Sequence, residues 1–235
     1  MVDPVTKLPS GYSTGERGTW QGDALPLPNF VGHVEWFDDF LFLNTAGVYT
    51  AQNFAGGTTG ALLDAITEPS GVVRLTSVSA NSDEPAIQLD AVPFQFRDGK
   101  KLWFEARVRI PEFSSTSWEV ALQTLNATQT NRDGVALAKL TGNTNMQVIL
   151  NGAGFTPLVI DDAPINVADQ WYKPAMYWDG DDLHIYLDGV FKQTISGSQP
   201  NIPKNTNLAP TFYMLRQNPT TRTADLDYFN IIAER

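Results

Sequence analysis

Residues 177–191 read YWDGDDLHIYLDGVF and set four aspartates, Asp179, Asp181, Asp182 and Asp188, within ten positions. Carboxylates at that density suit a calcium ion, which takes about six to eight oxygen ligands from several directions. Two of the four have another explanation. Asp179-Gly180 and Asp188-Gly189 are Asx-Gly pairs, which supply the positive φ angles that tight hairpins need. The LHIYL between them puts Leu183, Ile185 and Leu187 on one side of a strand. Asp181 and Asp182 remain, and a solvated loop is a simpler reading of them than a cation site.

Other patterns also bear on chemistry. GYSTG at residues 11–15 fits the G-x-S-x-G of a nucleophile elbow, but that device needs a strand before the serine and a helix after it. The flanking VTKLPS and ERGTWQGDALPLP are neither. Glycoside hydrolysis needs two carboxylates, about 5 Å apart in the retaining geometry. On one strand such a site reads E-x-D-x-E, and no glutamate of the chain begins that pattern. Asp225 and Asp227 alternate in ADLDYFNI and so share a face, for which the polar side of a closing strand is the simpler reading. His33 and His184 lie far apart with no second His or Cys at ligand spacing, which argues against zinc. Trp118, Trp171 and Trp178 are candidates for stacking on sugar rings, although a tryptophan in a sandwich more often belongs to its core. Asn126-Ala127-Thr128 fits a glycosylation sequon, a chance match without a secretory signal. No catalytic residue, cofactor or metal is assigned from these patterns.

The elements around these residues read as strands. KLWFEARVRIP alternates, with Leu102, Phe104, Ala106, Val108 and Ile110 on one face and Trp103, Glu105, Arg107 and Arg109 on the other. Similar runs recur to the end of the chain, separated by Asp98-Gly99, Asp133-Gly134, Asn151-Gly152, Asp179-Gly180 and Asp188-Gly189. That spacing predicts an antiparallel sandwich. ALLDAI, at residues 61–66, is the one segment that reads as a short helix.

Residues 1–30 differ, because Pro4, Pro9, Pro26 and Pro28 alternate with Gly11, Gly15, Gly18 and Gly22 and no apolar period survives. This predicts an extended arm, with Trp20, Leu25, Leu27 and Phe30 as its docking anchors on a neighbour, followed by one domain over residues 31–235.

Composition narrows the partners. With 26 acidic and 16 basic residues the formal charge is -10, which opposes binding to nucleic acid or to an anionic membrane. The absence of cysteine excludes a disulfide framework and a thiolate metal site. The N-terminus lacks the pattern of a signal peptide, and no apolar run is long enough to span a membrane as a helix.

The segments FEARVRIP (104–111), DGVALA (133–138), QWYKPAMYWDGDDLHIYLDGVFKQTI (170–195) and ADLDYFNIIAER (224–235) together resemble the concanavalin A-like, laminin-G-type jelly roll. The resemblance implies an all-β sandwich of two antiparallel sheets, with the last strand returning beside the first, FDDF at 37–40 against DLDYF. More narrowly, FDDF, GVVRLTS, FEARVRIP and the final DYFNI are similar to virion proteins of tailed bacteriophages that carry this fold. That likeness implies a non-enzymatic capsid decoration or cement protein on the outer head shell, made in the host cytoplasm. Its partners would be the major capsid protein and neighbouring copies of itself, as a dimer or trimer. The alternative is a lectin-like module that binds surface glycans, with a glycoside hydrolase third. No site residue is carried over from the family.

Overall fold

The structure is a computed structural model of the 235-residue chain. It describes residues 12–13, 32–38, 40, 48–53, 62–66, 71–77, 84–91, 94–110, 116–125, 133–150, 158–216 and 222–235. Trp20, Leu25, Leu27 and Phe30, most of GYSTG, the sequon and Asn151-Gly152 lie outside the described residues.

Strands, numbered in chain order, form two antiparallel sheets packed face to face. Ten belong to the first sheet: β1 (Tyr12–Ser13), β2 (His33–Asp38), β4 (Leu62–Ile66), β5 (Val72–Ser77), β7 (Leu102–Arg109), β12 (Trp171–Tyr172), β13 (Pro174–Trp178), β14 (Leu183–Leu187), β15 (Val190–Ile195) and β17 (Arg222–Glu234). Its main path runs β1-β2-β17-β7-β13-β14-β15. Seven make the second, in the order β11-β10-β9-β8-β16-β6-β3: β3 (Tyr49–Asn53), β6 (Pro85–Leu89), β8 (Thr116–Gln123), β9 (Gly134–Lys139), β10 (Asn145–Leu150), β11 (Leu158–Pro164) and β16 (Ala209–Arg216). The last strand returns, as expected, beside the strand that opens FDDF, here β2, with Phe229 opposite Asp38 and Glu234 opposite His33.

Period-2 alternation explains which face each strand buries. Leu102, Phe104, Ala106 and Val108 of β7 enter the core, as do Leu183, Ile185 and Leu187 of β14. Phe229 sits at the centre of an aromatic group, with ring centroids 6.2 Å from Trp36, 5.9 Å from Phe40 and 5.8 Å from Phe104. Burying each such ring contributes about 1.5–3 kcal/mol, which is how a cysteine-free chain stays folded.

Among the described residues of the ten-stranded sheet, two ladders shift register. In β17 the register shifts between Leu226 and Tyr228, leaving Asp227 as the extra residue of a bulge. This lets Leu226 and Phe229 both reach the core although they stand three apart. In β15 Ile185 is opposite Gln193 but Tyr186 is opposite Phe191, so Lys192 is the extra residue there.

Two local expectations are corrected. Leu62–Ile66 of ALLDAI is a strand, paired with β5 from Leu62 opposite Thr76 to Ile66 opposite Val72. Five residues are too few to hold a helix by themselves, and the ladder offered by β5 satisfies their backbone instead. Asp133-Gly134 is no two-residue turn either. Gly134 begins β9, where a Cβ would lie 2.5 Å from the Leu122 carbonyl oxygen and 2.6 Å from the Gln123 Cβ, so close strand approach demands the glycine. By contrast, Asp188 (φ 51°) and Gly189 (φ 79°) form the expected hairpin turn between β14 and β15.

Candidate functional site

The face of the ten-stranded sheet turned away from the core carries a row of rings. β13 and β14 pair so that Tyr177 is opposite His184, and β13 and β7 pair so that Tyr177 is opposite Trp103. Trp103, only 2% exposed, is the floor. Its ring lies 5.4 Å from Tyr186 and 6.4 Å from Tyr177. His184 stacks on Tyr177 at 5.7 Å, and Phe191, 52% exposed, closes the row at 5.7 Å from Tyr186 and 6.2 Å from His184. Burial, helped by the charge of Asp179, pushes the Tyr177 phenol up to about 12, and burial also raises that of Tyr186. Both therefore keep their O–H donors at neutral pH.

The aspartates of the opening stretch hold this row in place. Asp179 Oδ1 accepts the amides of Asp181 and Asp182, both at 2.8 Å, and its Oδ2 lies 2.9 Å from His184 Nε2. Burial alone would raise the Asp179 carboxyl, but the bonds from His184 and the two amides outweigh it and hold it low. The other ring nitrogen, Nδ1, meets Thr194 Oγ1 at 2.9 Å. Asp182 accepts the Gly197 amide at 2.9 Å and Asp188 that of Lys173 at 2.7 Å. Three of the four thus serve backbone geometry. Among the described residues no group of three or more His, Asp or Glu is placed to hold a metal.

Beside the rings lies an ionic group. Asp225, fully buried, accepts Arg74 Nε at 2.6 Å and Nη2 at 2.8 Å, and Arg109 Nη2 at 2.7 Å. Arg107 Nη1 donates to Asp227 at 2.5 Å. The Arg107 and Arg109 guanidiniums lie 4.6 and 4.5 Å from the centre of the Trp171 ring. Next to them the Tyr228 hydroxyl donates to Glu105 Oε1 at 2.6 Å, and Glu105 Oε2 has no partner among the described residues. Burial raises the Glu105 carboxyl, against the lowering effect of Tyr228.

The outward face of the seven-stranded sheet is polar yet buried. Gln88, Ser117, Glu119, Gln123, Gln147 and Thr211 stand around a floor of Ala121, Ala136 and Ala138. Gln88 Nε2 donates to Thr211 Oγ1 at 2.7 Å, and Gln123 to the Tyr213 hydroxyl. Glu119 is the one carboxylate among the buried side chains described on this face.

Of the three tryptophans singled out in the sequence, Trp118 and Trp178 are core residues. The Trp178 indole donates to the Arg97 carbonyl at 2.8 Å. Trp171 is partly exposed but lies beneath two arginines. Asp225 and Asp227 are bound by guanidiniums, and Ser13 lies in a two-residue strand opposite Glu35. The ring row was missed. Its signal was the outward half of the alternation that sends Leu183, Ile185 and Leu187 inward, since His184 and Tyr186 fill the alternate positions.

The family model described as the concanavalin A-like lectin/glucanases superfamily matches residues 81–232, more than half of the chain. The chain belongs to this superfamily. No curated protein sequence matches it. Among solved structures, a Bacillus licheniformis beta-glucanase is 14% identical at a TM-score of 0.59, covering 86% of this chain and 98% of its own. A family 16 glycoside hydrolase, an endo-glucanase from Bacteroides ovatus, is 16% identical at 0.58, covering 83% and 99%. A structure titled for endo-acting O-glycanases of the human gut microbiota is 11% identical at 0.63, covering 88% and 100%. At these identities the likeness is one of fold.

It nevertheless corrects the expectation of a non-enzymatic capsid decoration protein. That reading was itself drawn from fold resemblance, and the three solved structures named above, each matched across more than four-fifths of this chain, are titled for glucanases and glycanases. Superfamily motifs record packing and turns, which proteins of very different roles share.

Proposed function

We propose that this superfamily member is carbohydrate-active and seats a polysaccharide on the outer face of its ten-stranded sheet, with Tyr177, His184, Tyr186 and Phe191 as the platform. The observation that carries the reading is Phe191, a large apolar ring more than half exposed at the end of a continuous aromatic row. Exposed rings lose little by remaining wet singly, but a contiguous row buttressed from below marks a binding surface. Sugar rings offer apolar C–H faces to such a row and hydroxyls to its rim, where the two phenols and Thr194 can pair with them. The solved relatives supply the ligand class, glucans and O-glycans.

A second reading, hydrolysis, is favoured by Glu105, a carboxyl that burial keeps protonated to higher pH, as a general acid requires. The resemblance to phage virion proteins would make the glycan a host-surface polysaccharide.

The test is retention of the protein by a panel of β-glucans and mucin-type glycans, with reducing ends measured in the same mixtures. Binding that is weakened by Tyr186→Ala supports the platform. Release of reducing ends that Glu105→Gln abolishes supports hydrolysis as well. No retention and no release across the panel would overturn both readings.

A further inference from the structure

We propose a second binding site, for a single neutral sugar unit, in the pocket between Asp133 and the loop at residues 196–206. A cavity of about 510 Å³ opens there, within the range of small-molecule sites. The loop follows β15, and none of the lining residues belongs to the ring row. The choice of a sugar as ligand rests on the carbohydrate reading above.

The loop is built to hold its shape. Gln199 N donates to Ser196 O at 3.0 Å, Ile202 N to Gln199 O at 3.2 Å and Lys204 N to Ile202 O at 2.8 Å. Gly197 anchors its start through the Asp182 carboxylate, and a Cβ there would lie 1.7 Å from the Asp181 carbonyl oxygen and 2.6 Å from the Trp178 ring. Lys204 is fixed at the far end, with Nζ 2.8 Å from Asp98 and 5.2 Å from the Trp178 ring centre. A ligand entering such a loop pays little to order it.

The lining selects the ligand. Asp133 offers a carboxylate that accepts from two neighbouring hydroxyls, Lys204 offers donors beyond the one facing Asp98, and Ser198, Gln199 and Thr206 offer groups that both donate and accept. Lys204 is already paired with Asp98 and Asp133 adds a second carboxylate, so the lining does not favour an anion. A neutral polyol meets its acceptors and donors with hydroxyls alone.

The test is a titration of the full chain with glucose, galactose, mannose and N-acetylglucosamine, followed through backbone amide NMR shifts, with inorganic phosphate and glycine as charged comparisons. A saturable shift at Gly197, Ser198, Gln199 and Thr206 with at least one sugar is expected. Asp133→Asn and Gln199→Ala should each weaken it about tenfold, the effect of losing a hydrogen bond to a bound ligand. Tyr186→Ala should leave it unchanged. The proposal is overturned if no sugar saturates these amides, if only phosphate or glycine does, or if both pocket variants bind like the parent. Loss of polysaccharide retention in Tyr186→Ala with silent pocket amides would sink this site and leave the platform standing.

Discussion

Tyr186 and Phe191 meet edge to face, with centroids 5.7 Å apart and planes at 71°, because Lys192 bulges out of the ladder between β14 and β15. Without that extra residue Phe191 would share the inward face of Gln193 and Ile195. The bulge turns a ring that alternation would bury onto the open side of the sheet, where it touches Tyr186 and His184 yet stays more than half exposed.

That difference in surroundings separates two truncations. Phe191→Ala should change stability by no more than about 0.5 kcal/mol, as for surface positions. Trp103→Ala, emptying the floor of the same row, should cost about 3–5 kcal/mol. Urea unfolding of the two variants measures both.

Asp225 is neutralised by Arg74 and Arg109 with no water-facing surface of its own. Asp225→Ala leaves Arg74 and Arg109 without their shared counter-charge, Arg109 also lying over Trp171, and should destabilise the fold by about 3–5 kcal/mol. A thermal melt showing a parent-like midpoint would contradict this account of the pair.

Glu105 gives stability a slope with pH. Its folded carboxyl titrates above the ordinary 4.5 because of burial. Between those two values the folded chain binds more protons than the unfolded one, so stability falls as pH rises through that window and levels off above it. Asp179 acts oppositely: held below 3.8, it adds stability that is lost as pH falls through its folded value. Glu105→Gln should flatten the decline above 4.5 and leave the acid limb in place, read from denaturant midpoints across pH.

Gly197→Ala drives a Cβ into the Asp181 carbonyl and the Trp178 ring. Strain of that kind costs about 1–3 kcal/mol or more, and quenching or shift of Trp178 fluorescence should report the displaced loop.

The sandwich was legible because burial on one face writes a period of 2 into the chain, as in β7, and because Asp188-Gly189 needs positive φ at both positions. ALLDAI misled because five residues carry no period long enough to separate helix from strand. The platform was hidden for a different reason. Attention to tryptophan favoured Trp118 and Trp178, whose size makes them core, while Phe191 faces outward only through a bulge that no residue of VFKQTI announces. Asp225 and Asp227 could be placed on a strand, but their three arginine partners come from β5 and β7, far away in sequence.

The most direct measurement is the affinity of the parent chain and of Phe191→Ala for a polysaccharide retained in the panel, by isothermal titration calorimetry. Loss of the exposed ring should weaken binding at least about tenfold, as for an aromatic anchor, with stability unchanged. Equal affinity in the two proteins would contradict the claim that this row is where the glycan lies.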